Sequence, residues 1–194
     1  MSKKNRIFAL SKIFKTMAEI QIKDLTFVPY INENDLQNLV NDVAQKINSD
    51  YNGKEILFVG VLNGVFMFAS DLMKKIDVKN QISFVKLSSY DGTETTEVVT
   101  ELFGLIESVE DKHVIILEDI VDTGITIEGL YHHLLAQNPA SLEICTLLFK
   151  PGKYTKDVPI KYVTKTISNE FVVGYGLDYD GYGRSIPSIY QLKT

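Results

Sequence analysis

Residues 114–126, Val-Ile-Ile-Leu-Glu-Asp-Ile-Val-Asp-Thr-Gly-Ile-Thr, constrain the fold more than any other stretch of this chain. The apolar run Val114–Leu117 suits a strand buried on both faces, as in a parallel sheet. It ends abruptly at two adjacent carboxylates, Glu118 and Asp119. Asp122, Thr123, Gly124 and Thr126 follow, and then Ile127, Leu130, Tyr131, Leu134 and Leu135 repeat at the spacing of an amphipathic helix. A buried strand handing over to a helix through polar residues is the place where open α/β sheets bind ligands. Backbone N–H groups at a helix start attract anions, and Gly124 lets one come close. Helix capping by Asp122 or Thr123 accounts for one polar residue, but not for two acids at the end of a buried strand. Phosphate chemistry beside carboxylates suits a ligand with a phosphate at one end and hydroxyls at the other, a phosphorylated sugar.

The rest of the chain repeats this alternation. Leu36, Leu39, Val40, Val43 and Ile47 predict a first helix with Asn34 or Asp35 as cap. A strand is expected over 56–62, a break at Asn63-Gly64, and a helix carrying Val65, Ala69, Leu72, Met73 and Ile76. Residues 81–87 read as a strand and 88–97, containing Asp91-Gly92, as a mobile loop or hairpin tip with a return strand over 98–105. The motif helix is closed by Asn138-Pro139, a strand covers 142–149, Pro151-Gly152 turns the chain, and short strands lie near 160–164 and 171–175. The expected fold is a doubly wound, mostly parallel sheet flanked by helices, with a small hood built from terminal residues. No internal repeat or interdomain linker interrupts it.

Composition bounds the reading. With 194 residues, 45% hydrophobic and 23% charged, the chain suits one globular domain. No apolar run approaches the ~20 residues that cross a membrane. The single cysteine, Cys145, lies in an expected strand and reads as a buried thiol suited to a reducing cytoplasm. Net charge is −5, unevenly spread: residues 1–16 hold five bases and no acid, leaving 15 bases against 25 acids elsewhere. An acidic body argues against broad nucleic-acid binding. The basic leader lacks the apolar core of a secretion signal, so residues 1–16 read as a non-essential extension and 17–194 as the domain.

Other motifs fall short. Gly124 and Gly129 have the glycine spacing of a nucleoside-triphosphate loop, but Leu130-Tyr131 replaces its Lys-Ser/Thr. Gly174 and Gly176 open a dinucleotide fingerprint that fails at Tyr179. His132 and His133 are adjacent on a helix and project in different directions, which disfavours a metal site.

The acid-acid-x-x-Asp-Thr-Gly-x-Thr run resembles the phosphoribosyl-pyrophosphate motif of type I phosphoribosyltransferases. Three further stretches, Leu62-Asn63-Gly64, Phe149-Lys150-Pro151 and Glu170–Tyr179, resemble hypoxanthine-guanine phosphoribosyltransferases in the same order, over most of residues 25–190. The resemblance implies purine salvage: transfer of phosphoribosyl from 5-phosphoribosyl 1-pyrophosphate to hypoxanthine, and to guanine, with release of pyrophosphate. It implies that Glu118 and Asp119 hold the ribose hydroxyls and Asp122 is the general base at purine N7. Residues 122–126, Asp122, Thr123, Gly124, Ile125 and Thr126, hold the 5′-phosphate. It further implies that Leu62, Asn63, Gly64 and Arg184 contact pyrophosphate, and that Lys150, Phe171 and Val172 read the purine. Ser89 and Tyr90 belong to a mobile loop that closes over the site. The same resemblance implies that Asp178 holds Mg²⁺, with Glu118 and Asp119 as candidate further ligands. At position 63 relatives commonly carry a base, so Asn63 removes a positive charge near the leaving group. The family is usually dimeric or tetrameric, so a homo-oligomer is expected. Two alternatives are kept: a xanthine- or guanine-preferring relative, and an RNA-binding regulator on the same fold, which the acidic body disfavours.

Overall fold

The computed structural model describes residues 18–90 and 99–194. The chain opens with β1 (Ile20–Ile22) and β2 (Leu25–Ile31), then α1 (Glu33–Asp50), β3 (Glu55–Leu62), α2 (Phe66–Met73), β4 (Lys79–Tyr90) and β5 (Val99–Phe103). It continues through β6 (His113–Val121), α3 (Ile125–Leu135), β7 (Ser141–Phe149), β8 (Tyr162–Thr166), β9 (Val172–Val173) and β10 (Ile189–Leu192). Strands β4, β3, β6, β7 and β8 are parallel neighbours in that order, and β5 runs antiparallel along the β4 edge.

Burial on both faces explains the near-continuous apolar character of the central strands. Ile56 and Phe58 of β3 and Ile115 and Leu117 of β6 join one core with Leu36, Val40, Val43, Ala44 and Ile47 of α1 and Phe68, Ala69 and Leu72 of α2. The alternate residues Leu57, Val59, Val114 and Ile116 face the opposite core, closed by Ile127, Leu130 and Leu134 of α3. Cys145 is buried, and burial pushes its thiol up. The expected doubly wound sheet is therefore present.

Some local expectations need correction. The cap of α1 is Asn32, not Asn34 or Asp35. Its Oδ1 accepts the Asp35 N–H at 2.9 Å, while its amide donates to the Asp35 carboxylate at 2.7 Å. The first bond satisfies one helix-start N–H, and the second ties the two side chains together. Helix α2 ends at Met73, so Ile76 lies beyond it. Ser89 and Tyr90 end strand β4, opposite Thr100 and Val99, which makes this region a hairpin. The expected loop residues 91–97, like the leader 1–16, lie outside the described residues.

The hood is a separate antiparallel sheet, β1-β2-β10-β9, joining segments from both ends of the described chain around Ile22, Phe27, Val173 and Tyr190. Its first two strands and its last gave no signal in the sequence reading. Pro29 sits inside β2, where proline ordinarily argues against a strand, and the register slips there against Ile189 and Tyr190.

Strands β3 and β6 are adjacent, but their onward connections leave in opposite directions, to β4 and to β7. The crevice beyond their carboxyl ends is thus a topological switch point. Leu62 ends β3 there, and Glu118–Val121 end β6.

Candidate functional site

Strand β6 carries four fully buried residues, Val114 to Leu117, to the mouth of the crevice, where Glu118 and Asp119 are only partly covered. Glu118 Oε2 is buried without a hydrogen-bond partner. Burial, reinforced by the neighbouring Asp119 charge, holds the Glu118 carboxyl well above the usual carboxylate range. Burial also pushes Asp119 up, to about 6, against the lowering effects of the Ile120 N–H, donated at 2.9 Å, and of the Arg184 guanidinium. An acceptor in this state gains from any ligand that brings donors or positive charge.

The end of β3 meets this pair directly. The Leu62–Asn63 peptide is cis. A Cβ on Gly64 would overlap Asp119 Oδ2, so only glycine lets the 62–64 loop lie against that carboxylate. From the other side, a Cβ on Gly176 would overlap the Gly64 carbonyl oxygen. Body and hood therefore touch backbone to backbone at the crevice.

Beyond β6 the chain makes the turn that starts α3. Its N-cap is Gly124, at φ +85°, and no side chain caps the helix. Neither Asp122 nor Thr123 serves as the cap, which removes helix capping as the account of these residues. A hollow of about 120 Å³ is lined by Glu118, Ile120, Val121, Asp122, Thr123, Gly124, Ile125, Thr126 and Ile127. The uncapped helix start suits an anion. A larger groove, about 800 Å³, lies between α1 and residues 165–169, away from the paired carboxylates. Its size does not make it the reactive site.

The segment after β7 folds back over this turn. Lys150, almost fully buried, places Nζ 3.3 Å from Asp122 Oδ2, and Lys153 places its own at 3.1 Å from the same oxygen. Asp122 Oδ1 is buried and has no partner. Tyr154 lies against Gly124 so closely that a Cβ there would strike its ring. Lys156 pairs with Glu128 at 2.6 Å, neutralising an acid in the first turn of α3. Lys150 is expected from the sequence, whereas Lys153 and Tyr154 are not; the turn at Pro151-Gly152 is the one sequence signal that the chain returns.

The hood supplies the far wall. Phe171 is 42% exposed, unusual for phenylalanine, with its ring centroid 6.1 Å from that of Phe27 and 5.9 Å from that of Tyr179. Val172 beside it is buried in β9. Asp178 accepts from Arg184 at 2.8 Å and from the Gly181 N–H at 2.6 Å. Arg184 also donates to the Gly176 carbonyl at 2.8 Å. Because both Arg184 and Asp178 act on the Asp119 carboxyl, the hood charges lie near the β6 exit.

Among the described residues no group of three or more Asp, Glu, His or Cys converges to hold a metal ion. The donors present, carboxylates of Glu118, Asp119 and Asp178, are hard oxygens. That set fits Mg²⁺, which keeps several waters and is bound by one or two carboxylates together with substrate phosphates. The described residues also include no helix long and apolar enough to cross a membrane.

Known proteins resemble this chain in sequence and fold. Residues 32–180 match the phosphoribosyl transferase domain. A hypoxanthine-guanine phosphoribosyltransferase of Staphylococcus aureus (strain Mu50 / ATCC 700699) is 44% identical over 164 residues, covering 84% of this chain and 92% of that protein. One from Staphylococcus epidermidis (strain ATCC 12228 / FDA PCI 1200) is 44% identical over 173 residues, covering 89% and 96%. A crystal structure of a hypoxanthine-guanine phosphoribosyltransferase from Bacillus anthracis superposes with a TM-score of 0.80 at 36% identity, covering 86% of this chain and 98% of that one. The chain belongs to the phosphoribosyltransferase family, alongside its hypoxanthine-guanine members.

Proposed function

We propose that this enzyme salvages purines by transferring phosphoribosyl from 5-phosphoribosyl 1-pyrophosphate to hypoxanthine, and to guanine, giving IMP or GMP and pyrophosphate. The observation that carries the reading is the convergence on one crevice of unpartnered carboxylate oxygens on Glu118 and Asp122 with the uncapped start of α3.

In this reading residues 122–126 hold the 5′-phosphate through backbone N–H groups and the Thr123 and Thr126 hydroxyls. Glu118 and Asp119 accept from the ribose hydroxyls. As the bond to pyrophosphate lengthens, positive charge grows on the ribose, and carboxylates preplaced beside it favour that state. The purine stacks on Phe171, with Val172 offering backbone contacts and Lys150 donating to the 6-oxo group. Asp122 takes the N7 proton, and Lys150 lies close enough to link base recognition to that carboxylate. Leu62, Asn63, Gly64 and Arg184 receive pyrophosphate. Asp178, with Glu118 and Asp119, would hold Mg²⁺, which supplies charge neutralisation at the leaving group. Ser89 and Tyr90 would close over the site and keep water from the activated sugar.

Residues 17–194 act as one cytoplasmic domain in a homodimer or homotetramer, and residues 1–16 add nothing to catalysis. The acidic body, with 25 acids against 15 bases beyond residue 16, speaks against an RNA-binding regulator. The test is product formation from hypoxanthine, guanine, xanthine and adenine in parallel, with and without Mg²⁺. Turnover of hypoxanthine and guanine, dependent on Mg²⁺, is expected. Exclusive use of xanthine would shift the reading to that relative, and use of adenine alone would overturn it.

A further inference from the structure

Tyr175 is a fully buried aromatic with its backbone at φ +52°, a left-handed conformation that side-chain-bearing residues seldom adopt. It stands between Gly174 and Gly176, both at positive φ. Its phenol donates to Asp71 Oδ2 at 2.7 Å, across 104 residues of sequence. Asp71 lies on α2 and also accepts from Gln37 of α1 at 2.5 Å and from Lys74 at 2.9 Å. The phenol thus spans from the hood to the two helices under the sheet.

What this bridge holds is specific. The Tyr175 N–H donates to the Ile186 carbonyl at 2.7 Å, and the Gly176 N–H donates to the Arg184 carbonyl at 2.9 Å. The Gly176 carbonyl accepts from the Arg184 guanidinium, whose other nitrogen pairs with Asp178. On the body side, α2 begins four residues after Leu62, so Asp71 rides on the helix that follows the 62–64 loop. Gly176 and Gly64 touch at the contact a Cβ would destroy.

We infer that Tyr175 and Asp71 form a positioning pair that sets Arg184 and Asp178 of the hood against the 62–64 loop of the body, and so governs affinity for pyrophosphate. Neither residue touches the leaving group; each acts through the segment it fixes. The inference rests on the pyrophosphate assignment made above. The ribose-phosphate turn at 118–126 has its own support from β6, α3 and the 150–156 segment, so loosening the bridge leaves that half in place.

The test compares two probes, inorganic pyrophosphate with Mg²⁺ and ribose 5-phosphate, on wild type, Tyr175→Phe, Asp71→Ala and Asp71→Asn. Tyr175→Phe deletes only the donor, and Asp71→Asn keeps an acceptor for it. Tyr175→Phe and Asp71→Ala are expected to weaken pyrophosphate by about tenfold and ribose 5-phosphate by less than twofold. Asp71→Asn should stay close to wild type. Equal weakening of both probes would mean a merely structural role and would overturn the inference, as would unchanged pyrophosphate binding in Tyr175→Phe and Asp71→Ala. If the wild type binds ribose 5-phosphate but not pyrophosphate, the subsite assignment itself falls, and the inference falls with it.

Discussion

The two walls of the crevice are built on opposite principles. The body wall is contiguous: Glu118 to Thr126 lie within one strand–turn–helix, and Glu118 and Asp122 each leave an acceptor oxygen buried without a partner. The hood wall is gathered from residues 20–31 and 171–192, and its polar groups satisfy one another: Arg184 pairs with Asp178, Lys23 with Asp180, and the Tyr179 phenol donates to Asp24. Unpartnered acceptors in a low-dielectric site carry a free-energy cost that a bound donor relieves. Paired charges carry no such cost and must exchange partners when a ligand arrives. The body wall is therefore strained toward a ligand, and the hood wall is stable without one.

If the body wall holds the reacting atoms, its substitutions should produce the largest losses. Asp122→Asn should lower kcat by roughly 10²–10⁴, the range for a lost general base, with little change in substrate KM. Steady-state kinetics decides this, and near-normal turnover would take Asp122 out of the chemistry. Lys150→Ala should raise KM for hypoxanthine more than KM for phosphoribosyl pyrophosphate. A charged hydrogen bond of about 1.5–3 kcal/mol corresponds to roughly ten- to a hundredfold. Equal rises in the two constants would mean that Lys150 does not read the base.

The strain itself can be measured through pH. Asp119 has its carboxyl raised from an ordinary 3.8 to about 6, and Glu118 is raised from 4.5. A carboxyl that binds protons more readily when folded stabilises the fold at low pH. That stability is lost as pH rises from the unfolded value through the folded one. Glu118→Gln should therefore raise the melting temperature at pH 7 without Mg²⁺ or substrate, on the order of 2–4 °C for each kcal/mol recovered. The gain should vanish near pH 4. A variant less stable than wild type at pH 7 would show that the carboxylate is satisfied rather than strained.

On the hood-facing rim the expected effect is smaller. Asn63→Lys adds the cation that the family resemblance implies at this position and should lower the pyrophosphate inhibition constant by a factor worth about 1 kcal/mol. The gain should be larger at low salt, because attraction between partly exposed charges is screened. A constant unchanged at two ionic strengths would place Asn63 away from the leaving group. Removing residues 1–16 should change neither activity nor melting temperature.

What the sequence revealed follows the same division. The β6–α3 segment was legible because strand burial, the acid pair and the helical period sit side by side, so local rules suffice. Lys150 and Phe171 were reached only through resemblance to a family. Lys153, Tyr154, Tyr175 and Asp71 were not reached at all, because their roles arise from contacts between distant segments that no period encodes. Strands β2 and β10 escaped for a related reason: one contains Pro29, the other is four residues long, and only their pairing makes either a strand.

In the proposed reading the crevice between the β3 and β6 exits joins a 6-oxopurine to a phosphoribosyl group. Its most direct test is the simultaneous measurement of nucleotide and pyrophosphate from hypoxanthine and phosphoribosyl pyrophosphate in the presence of Mg²⁺. IMP and pyrophosphate are expected in equal amounts, both collapsing together in Asp122→Asn. Pyrophosphate released without IMP, or full IMP yield at the wild-type rate from Asp122→Asn, would contradict it.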